Sequence, residues 1–290
     1  MLQKIKATLK LTRIEHGIMV SLAILVGALV AKEAKLYSEE LLRVVYGMLI
    51  GLFVEMGVFG FNDYFNIEED KINSPDRPLV KGDLSLHEAL ILSSAFLGIG
   101  ILMPWWAPLK LPLSSTILLY LVVILDMMYN ALLKRYGLVG NLAVSLSTAM
   151  PFIYGALLVI RLDDVPTYLW LFFLIAFLAT LSREIIKDVR DAPGDLSAGL
   201  VTLPHIIGIR KCYLIASCLM IVAILLSLVA IALVKNKIAY SVVVSFANSM
   251  LIYSLIVLRK AKVRRVLDKF RKLSLLGMTL GIVAFLVSSL

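Results

Sequence analysis

The chain has 290 residues, 60% of them hydrophobic and only 17% charged, with a mean hydropathy of +0.93. Soluble domains are nearer half apolar and a quarter charged, so this composition excludes an ordinary soluble globular protein and a disordered one. The net charge is +9, from 29 Lys+Arg against 20 Asp+Glu; in a chain this apolar such an excess marks loops held on the cytoplasmic side of a membrane rather than a nucleic-acid partner.

Hydrophobicity is spread evenly along the chain, which predicts a single intramembrane domain over residues 1–290. The basic N-terminal segment (Lys4, Lys6, Lys10, Arg13) leads into an apolar run without a small-residue cleavage site. It reads as the approach to a first span, not a removable signal. In chain order, runs near bilayer length cover Ile14–Ala31, Leu41–Phe61, Glu88–Pro104, Leu113–Met128, Leu138–Ile160, Tyr168–Ser182, Cys212–Val234, Ala239–Leu258 and Leu273–Leu290. Helices satisfy their own backbone polar groups in lipid, and no alternating barrel pattern is present. The expected fold is therefore all-α, a polytopic membrane protein with nine transmembrane helices around a central cavity. Ser85 with Glu88 reads as a capping box opening the third span, and Pro151 as a kink in the fifth. Cys212 and Cys218 form neither a disulfide framework nor a zinc spacing.

Nine spans place the termini on opposite sides. Of the 29 basic residues, 22 then fall on the side of the N-terminus, including eight in the run 259–272, and seven on the other. That bias predicts a cytoplasmic N-terminus. Trp105, Trp106 and Trp170 fall at the opposite interface, as an aromatic belt requires. The two long connections, about 62–87 and 183–211, both lie on the cytoplasmic side and read as caps over a site.

Each cap opens with an acidic cluster. In the first, Asn62, Asn66 and Asp70 recur one helical turn apart with Asp63 beside them; in the second, Glu184, Asp188, Asp191 and Asp195 recur at three or four residues. Stacked carboxylates repel unless cations lie between them. Hard oxygen ligands at this density suit Mg²⁺, which shares carboxylates with substrate phosphates and water. Lys71, Arg77, Lys134, Arg135, Arg183, Lys187 and Arg190 are interleaved with the acids. A solvated helix end explains either cluster alone, but a diphosphate held by Mg²⁺ and Lys/Arg explains the mixing in both.

With these residues in view, NDYFNIEEDKINSPDRPL, REIIKDVRDAPGD with the following TLP, and Tyr129 with the Lys134…Gly140-Asn141 segment resemble the UbiA superfamily of intramembrane prenyltransferases. The resemblance covers nearly the whole chain. It implies metal ligation by Asn62, Asp63, Asn66, Asp70, Asp188, Asp191 and Asp195. It implies substrate contacts from Asn62, Asn66, Arg77, Lys134, Asn141, Lys187 and Arg183. Catalysis would rest on Asp63, Asp70, Asp188 and Asp191, with Tyr129 facing a carbocation. Three departures stand out: Asn66 replaces an aspartate, Pro193 is expected to end the helix and leave Asp195 on a loop, and the family's Arg-Pro reads Arg13-Ile14, so no role is carried to Arg13.

The activity so implied is transfer of a polyprenyl group from its diphosphate to a lipophilic acceptor, with two or more Mg²⁺ ions as cofactor. The run SREIIKDVRDAPGD is most similar to the archaeal ether-lipid branch, in which geranylgeranyl is passed to a free hydroxyl of geranylgeranylglyceryl phosphate. Arg183, Arg190 and Arg210 are then candidate partners for the acceptor phosphate. A phenolic acceptor of the 4-hydroxybenzoate type is the alternative, and a transporter the reading from another class; a transporter site belongs nearer the midplane. The partners expected are prenyl diphosphate, lipid acceptor and membrane lipid, with the site facing the cytoplasm; no protein partner is inferred. Glu55 and Asp126 are intramembrane acids, candidates for a supporting or general-base role. His16, His87 and His205 have no metal spacing.

Overall fold

The computed structural model describes residues 2–259 and 264–290, which are helical with no strand. In chain order the α-helices are α1 (Leu2–Thr12), α2 (Ile14–Ala31), α3 (Ser38–Phe65), α4 (Ile67–Asn73), α5 (Pro78–Lys81), α6 (Leu86–Trp106) and α7 (Leu113–Ala131). They continue with α8 (Leu138–Leu157), α9 (Thr167–Ser197), α10 (Leu203–Ile207), α11 (Ile209–Leu233), α12 (Lys237–Leu258) and α13 (Arg264–Ser288). Among the described residues, nine helices are long and apolar enough to cross a membrane: α2, α3, α6, α7, α8, α9, α11, α12 and α13. In the basic run 259–272, Lys260 and Lys262 lie outside the described residues.

Side chains such as Leu121, Ile124, Leu225 and Phe246 stay exposed on the outer faces, the pattern of a bundle solvated by lipid. Lipid gives helices no hydrophobic reason to associate, so close contact comes from small residues. Gly27 of α2 and Gly155 of α8 show this. A Cβ on Gly27 would stand 1.9 Å from the Phe152 carbonyl oxygen, and one on Gly155 1.9 Å from that of Ile24. Gly155→Ala must therefore push α2 and α8 apart. The expected result is a loss of about 1–3 kcal/mol, read as a lower thermal midpoint of the purified protein; an unchanged midpoint would contradict this packing.

The expected arrangement around a central cavity needs one correction. Eight of the nine long helices line the cavity, but α6 contributes nothing to it. The reason is α3, which packs on α6 through Gly57 against Leu97 and Gly60 against Ser93, and so stands between α6 and the cavity.

The caps also differ from expectation. They are mostly helical rather than loops. The second and sixth spans continue as α3 and α9 well past their expected ends at Phe61 and Ser182, to Phe65 and Ser197. Pro193 does not end α9. Its ring is exposed, near the end of the helix, where losing one backbone N–H costs less than in the middle. Asp195 is therefore a buried helical residue, not a loop residue. The capping box is present: the Glu88 backbone N–H donates to Ser85 Oγ at 3.2 Å, and that of Ser85 to Glu88 Oε2 at 2.9 Å. Pro151 lies inside α8.

The N-terminal segment is more than a basic approach to the membrane. Ala7 and Leu11 of α1 pack with Leu79, Leu84 and Ala89. Lys4 pairs with Glu88, and Lys10 donates to the Asp76 carbonyl. The first cap is thereby fixed to the head of α6.

Candidate active site

The two acidic clusters meet. A small polar pocket is lined from one side by Asn62, Asn66, Glu69, Asp70, Asn73 and Arg77, and from α9 by Lys187, Asp188, Asp191 and Asp195. Tyr129, Lys134, Gly140, Asn141 and Thr202 close it. The helical spacing of the second cluster places Asp188, Asp191 and Asp195 on one face of α9, the first cluster runs from α3 across Asn66 into α4, and the bundle turns the two toward each other.

Each side chain is held by a named neighbour. Asn62 Nδ2 donates to Asn130 Oδ1 at 2.7 Å, which leaves its carbonyl oxygen for the pocket. Asn66 is the residue between α3 and α4, and its Oδ1 accepts from Lys134 Nζ at 2.7 Å. The same ammonium lies 3.3 Å from Glu69. Asn141 Nδ2 donates to Asp188 Oδ2 at 2.9 Å. Arg77 spans Asp63 and Asp70, reaching Asp70 Oδ2 at 2.6 Å. Arg190 pairs with Asp191 and Asp268.

Three expected residues are placed elsewhere. Asp63 is 2% exposed and does not line the pocket; its Oδ1 accepts from Arg13 Nη2 at 2.9 Å and from Arg77. Arg183 lies deeper, on the wall of the central cavity. Arg210 is exposed on α11.

Other residues in the site carried no assignment from the sequence. Asn73 joins the two caps. Its Nδ2 donates to the Asp191 carbonyl at 2.9 Å and to Asp195 Oδ1 at 3.3 Å, and its own carbonyl accepts from Arg190 and Arg264. Gly194 gives it room, since a Cβ there would lie 2.4 Å from the Asn73 amide. Arg13 is a second case. It sits between α1 and α2 with φ 44°, a left-handed conformation that non-glycine residues rarely adopt. There its guanidinium holds Asp63 and lies 4.4 Å over the Phe59 ring. The available signals were its position at the foot of the first span and the family's Arg-Pro, which reads Arg13-Ile14 here.

Burial raises the Asp70 carboxyl to about 6, against the pull of Arg77. The Arg77 guanidinium is itself lowered, by burial and then by Arg13. The metal-free fold therefore binds the Asp70 proton more tightly than the unfolded chain does. That favours folding at low pH and turns unfavourable as pH rises through about 6. A divalent cation ligated by Asp70 must displace this proton, so its affinity should fall as pH drops below about 6. A cation titration across that range in wild type and Asp70→Ala tests this: the fall below about pH 6 should be present in the first and lost in the second, and the same fall in both would count against Asp70 as its source.

The polar pocket does not stand alone. It adjoins a cavity of about 250 Å³ between the helices, and Asn62, Tyr129 and Lys187 line both. Phe152, Ile175 and Met278 are among its apolar walls, and Glu55 and Asp126 are its carboxylates on α3 and α7. His16 also lines it, its ring 5.0 Å from Phe59. A charged chamber thus opens into an apolar one inside the membrane span.

Known proteins share this fold. A digeranylgeranylglyceryl phosphate synthase of Methanothrix thermoacetophila is 36% identical over 287 residues, covering 96% of this chain and 97% of that one. A solved structure described as giving structural and mechanistic insights into digeranylgeranylglyceryl phosphate synthase in membranes superposes with a TM-score of 0.71 at 26% identity. It covers 99% of this chain and 98% of its own. The fold is also that of a UbiA homologue from Archaeoglobus fulgidus bound to GPP and Mg²⁺, with a TM-score of 0.68 at 17% identity, over 96% of this chain and 99% of that one. The sequence model of the UbiA prenyltransferase family matches residues 20–276, nearly all of the bundle that builds both chambers, and the chain belongs to that family.

Proposed function

We propose that the protein transfers a geranylgeranyl group from its diphosphate to the free hydroxyl of geranylgeranylglyceryl phosphate. The observation that carries this reading is the contiguity of the two chambers at Asn62, Tyr129 and Lys187. A prenyl diphosphate is a charged head on an apolar tail, and it fits such a boundary. The relatives' name and the GPP bound in the Archaeoglobus fulgidus structure support the same substrate class.

The donor set fits Mg²⁺. Its oxygens are hard carboxylate and amide groups, and Asn73 Oδ1 is buried in the pocket with no hydrogen-bond partner in the protein. Among the described residues, no three His, Cys, Asp or Glu converge closely enough to hold a metal ion unaided. Ions shared between the protein and a substrate diphosphate are consistent with that spread. Asn62, Asp70, Asp188, Asp191 and Asp195 would hold them, and bound Mg²⁺ would neutralise the diphosphate and improve it as a leaving group.

The chain's own residues do the rest. Lys134, Lys187 and Arg77 offer charge-assisted hydrogen bonds to phosphate oxygens. The apolar walls keep water from the allylic carbon as its C–O bond breaks. Tyr129, at the junction, offers an aromatic face to the positive charge. The acceptor oxygen bonds to that carbon and releases its proton, for which Glu55 and Asp126 are candidate acceptors among the carboxylates lining the cavity, Glu184 being held by Lys187 and Arg183.

The same reading makes residues 1–290 one intramembrane domain, capped over 62–87 and 183–211, with the polar pocket facing the cytoplasm and the N-terminus on that side. The distribution of basic residues supports this orientation. Labelling of single cysteines at Lys134 and Lys235 in right-side-out cells would test it.

The decisive assay supplies labelled geranylgeranyl diphosphate, Mg²⁺ and either geranylgeranylglyceryl phosphate or 4-hydroxybenzoate. Label should enter the glyceryl phosphate only, stop with EDTA and resume with Mg²⁺. Efficient transfer to 4-hydroxybenzoate instead would overturn the acceptor, and full activity without metal would overturn the site.

A further inference from the structure

We infer that Arg183 and Arg271 form an anion subsite on the α9–α13 wall of the central cavity, separate from the diphosphate pocket, and that it holds the phosphate of the acceptor lipid. This rests on the prenyl-transfer reading above and adds to it the place where the acceptor is recognised.

The first observation is charge. Arg183, Lys187 and Arg271 all line the central cavity on this wall. They have one carboxylate among them: Glu184 lies 2.7 Å from Lys187 and 3.8 Å from Arg183 and is itself buried. Arg271 has no carboxylate at ion-pair distance among the described residues. Glu55 and Asp126 line the same cavity from α3 and α7, and neither forms an ion pair with Arg183 or Arg271 among the described residues. Glu184 is shared by Arg183 and Lys187, and Lys187 also faces the acids of the polar pocket, so Arg183 and Arg271 leave this wall of the cavity net positive. Buried charge is costly unless it is paired, and a phosphomonoester carries nearly two negative charges at neutral pH.

The second observation is hydrogen bonding. Arg183 Nε and Arg271 Nε are buried with no partner in the protein, and so is Thr180 Oγ1, one turn before Arg183 on α9. All three residues line the same cavity, and none lines the diphosphate pocket. Buried donors in native proteins are nearly always satisfied. Three unsatisfied groups on one wall, two of them guanidinium nitrogens, suit the oxygens of one phosphate.

The other cations expected near the second acidic cluster are not available. Arg190 is engaged by Asp191 and Asp268, and Arg210 is on the exterior. Lys187, which lines both chambers, stands between the two anions. A phosphate on Arg183 and Arg271 would leave the acceptor's isoprenyl chain among the apolar walls.

The test is equilibrium binding to the full-length protein in lipid nanodiscs. The ligands are geranylgeranylglyceryl phosphate, geranylgeranylglycerol without its phosphate, and GPP with Mg²⁺. Wild type should bind the phosphorylated lipid at least about tenfold more tightly than the alcohol, the size expected of one charge-assisted contact. R271Q and R183Q should each abolish that preference while leaving GPP affinity unchanged, which also reports an intact fold. R271K should recover part of it. The inference is overturned if wild type does not discriminate between the lipids, if both variants keep the preference, or if GPP affinity falls as far as that of the acceptor. That last result would assign the arginines to the diphosphate pocket. Should R183Q fail to fold, R271Q decides alone. Failure of the prenyl-transfer reading is seen separately, as absence of labelled product from wild type.

Discussion

Asp188→Ala and Asp70→Ala should each lower the rate of transfer about a hundredfold, the effect of removing one group that stabilises developing charge, on the order of 3 kcal/mol. Both carboxylates line the polar pocket, one on α9 and one on α4. Neither belongs to the apolar clusters that hold the bundle together, so the thermal midpoint of Asp188→Ala should stay near that of wild type, while Asp70→Ala also takes one of its two carboxylates from Arg77 and should lower the midpoint. Single-turnover rates at saturating Mg²⁺ separate this loss from weaker metal binding. Asn66→Asp makes an informative companion. Its oxygen already accepts from Lys134, and a carboxylate can accept as well, so activity should be retained. If Asp188→Ala kept wild-type rates, the second cluster would not be part of the reaction centre.

Asp63→Ala should behave differently, although Asp63 neighbours Asn62 in the same motif. Its carboxylate lies at 2% exposure between Arg13 and Arg77. Removing it leaves two largely buried guanidinium groups short of a partner, and breaking such pairs typically costs about 3–5 kcal/mol. Arg13 would also lose the contact that compensates its left-handed backbone. The expected result is a clear fall in thermal midpoint and in the yield of folded protein. Divalent-cation affinity should persist in the folded fraction. A stable Asp63→Ala protein that no longer binds Mg²⁺ would instead show that Asp63 leaves its arginines to ligate metal.

The contrast between these aspartates shows what a linear motif conveys. Spacing along one helix is visible in the letters, because a turn is 3.6 residues whatever surrounds it. Asp188, Asp191 and Asp195 are thus grouped by face from residue order alone, Asn62 and Asp70 keep a similar spacing across the break at Asn66 between α3 and α4, and all five line one pocket. Asp63 shares the motif, but its partner Arg13 is 50 residues away. Asn73 had no signal of its own. Its hydrogen bond to the Asp191 carbonyl crosses 118 residues, and its fit against Gly194 depends on how α4 meets α9. Pro193 misled in the other direction. Proline usually ends a helix, yet near the exposed end of α9 the lost hydrogen bond is tolerated, and Asp195 stays helical.

The sequence by itself determined the membrane location, the nine long helices, the basic bias of one side and the two acidic faces. These depend on local composition and helical period, which a bilayer enforces segment by segment. Tertiary structure alone decided which charges neutralise one another and which are left over. It paired Arg190 with Asp268, put Arg210 on the outside, and set Arg183 and Arg271 together in the cavity. It also decided that α6 stands behind α3 rather than at the cavity wall. The reason is that pairing and burial are set by helix contacts between residues far apart in the chain, and in lipid those contacts follow from where small residues such as Gly27 and Gly155 let two backbones meet.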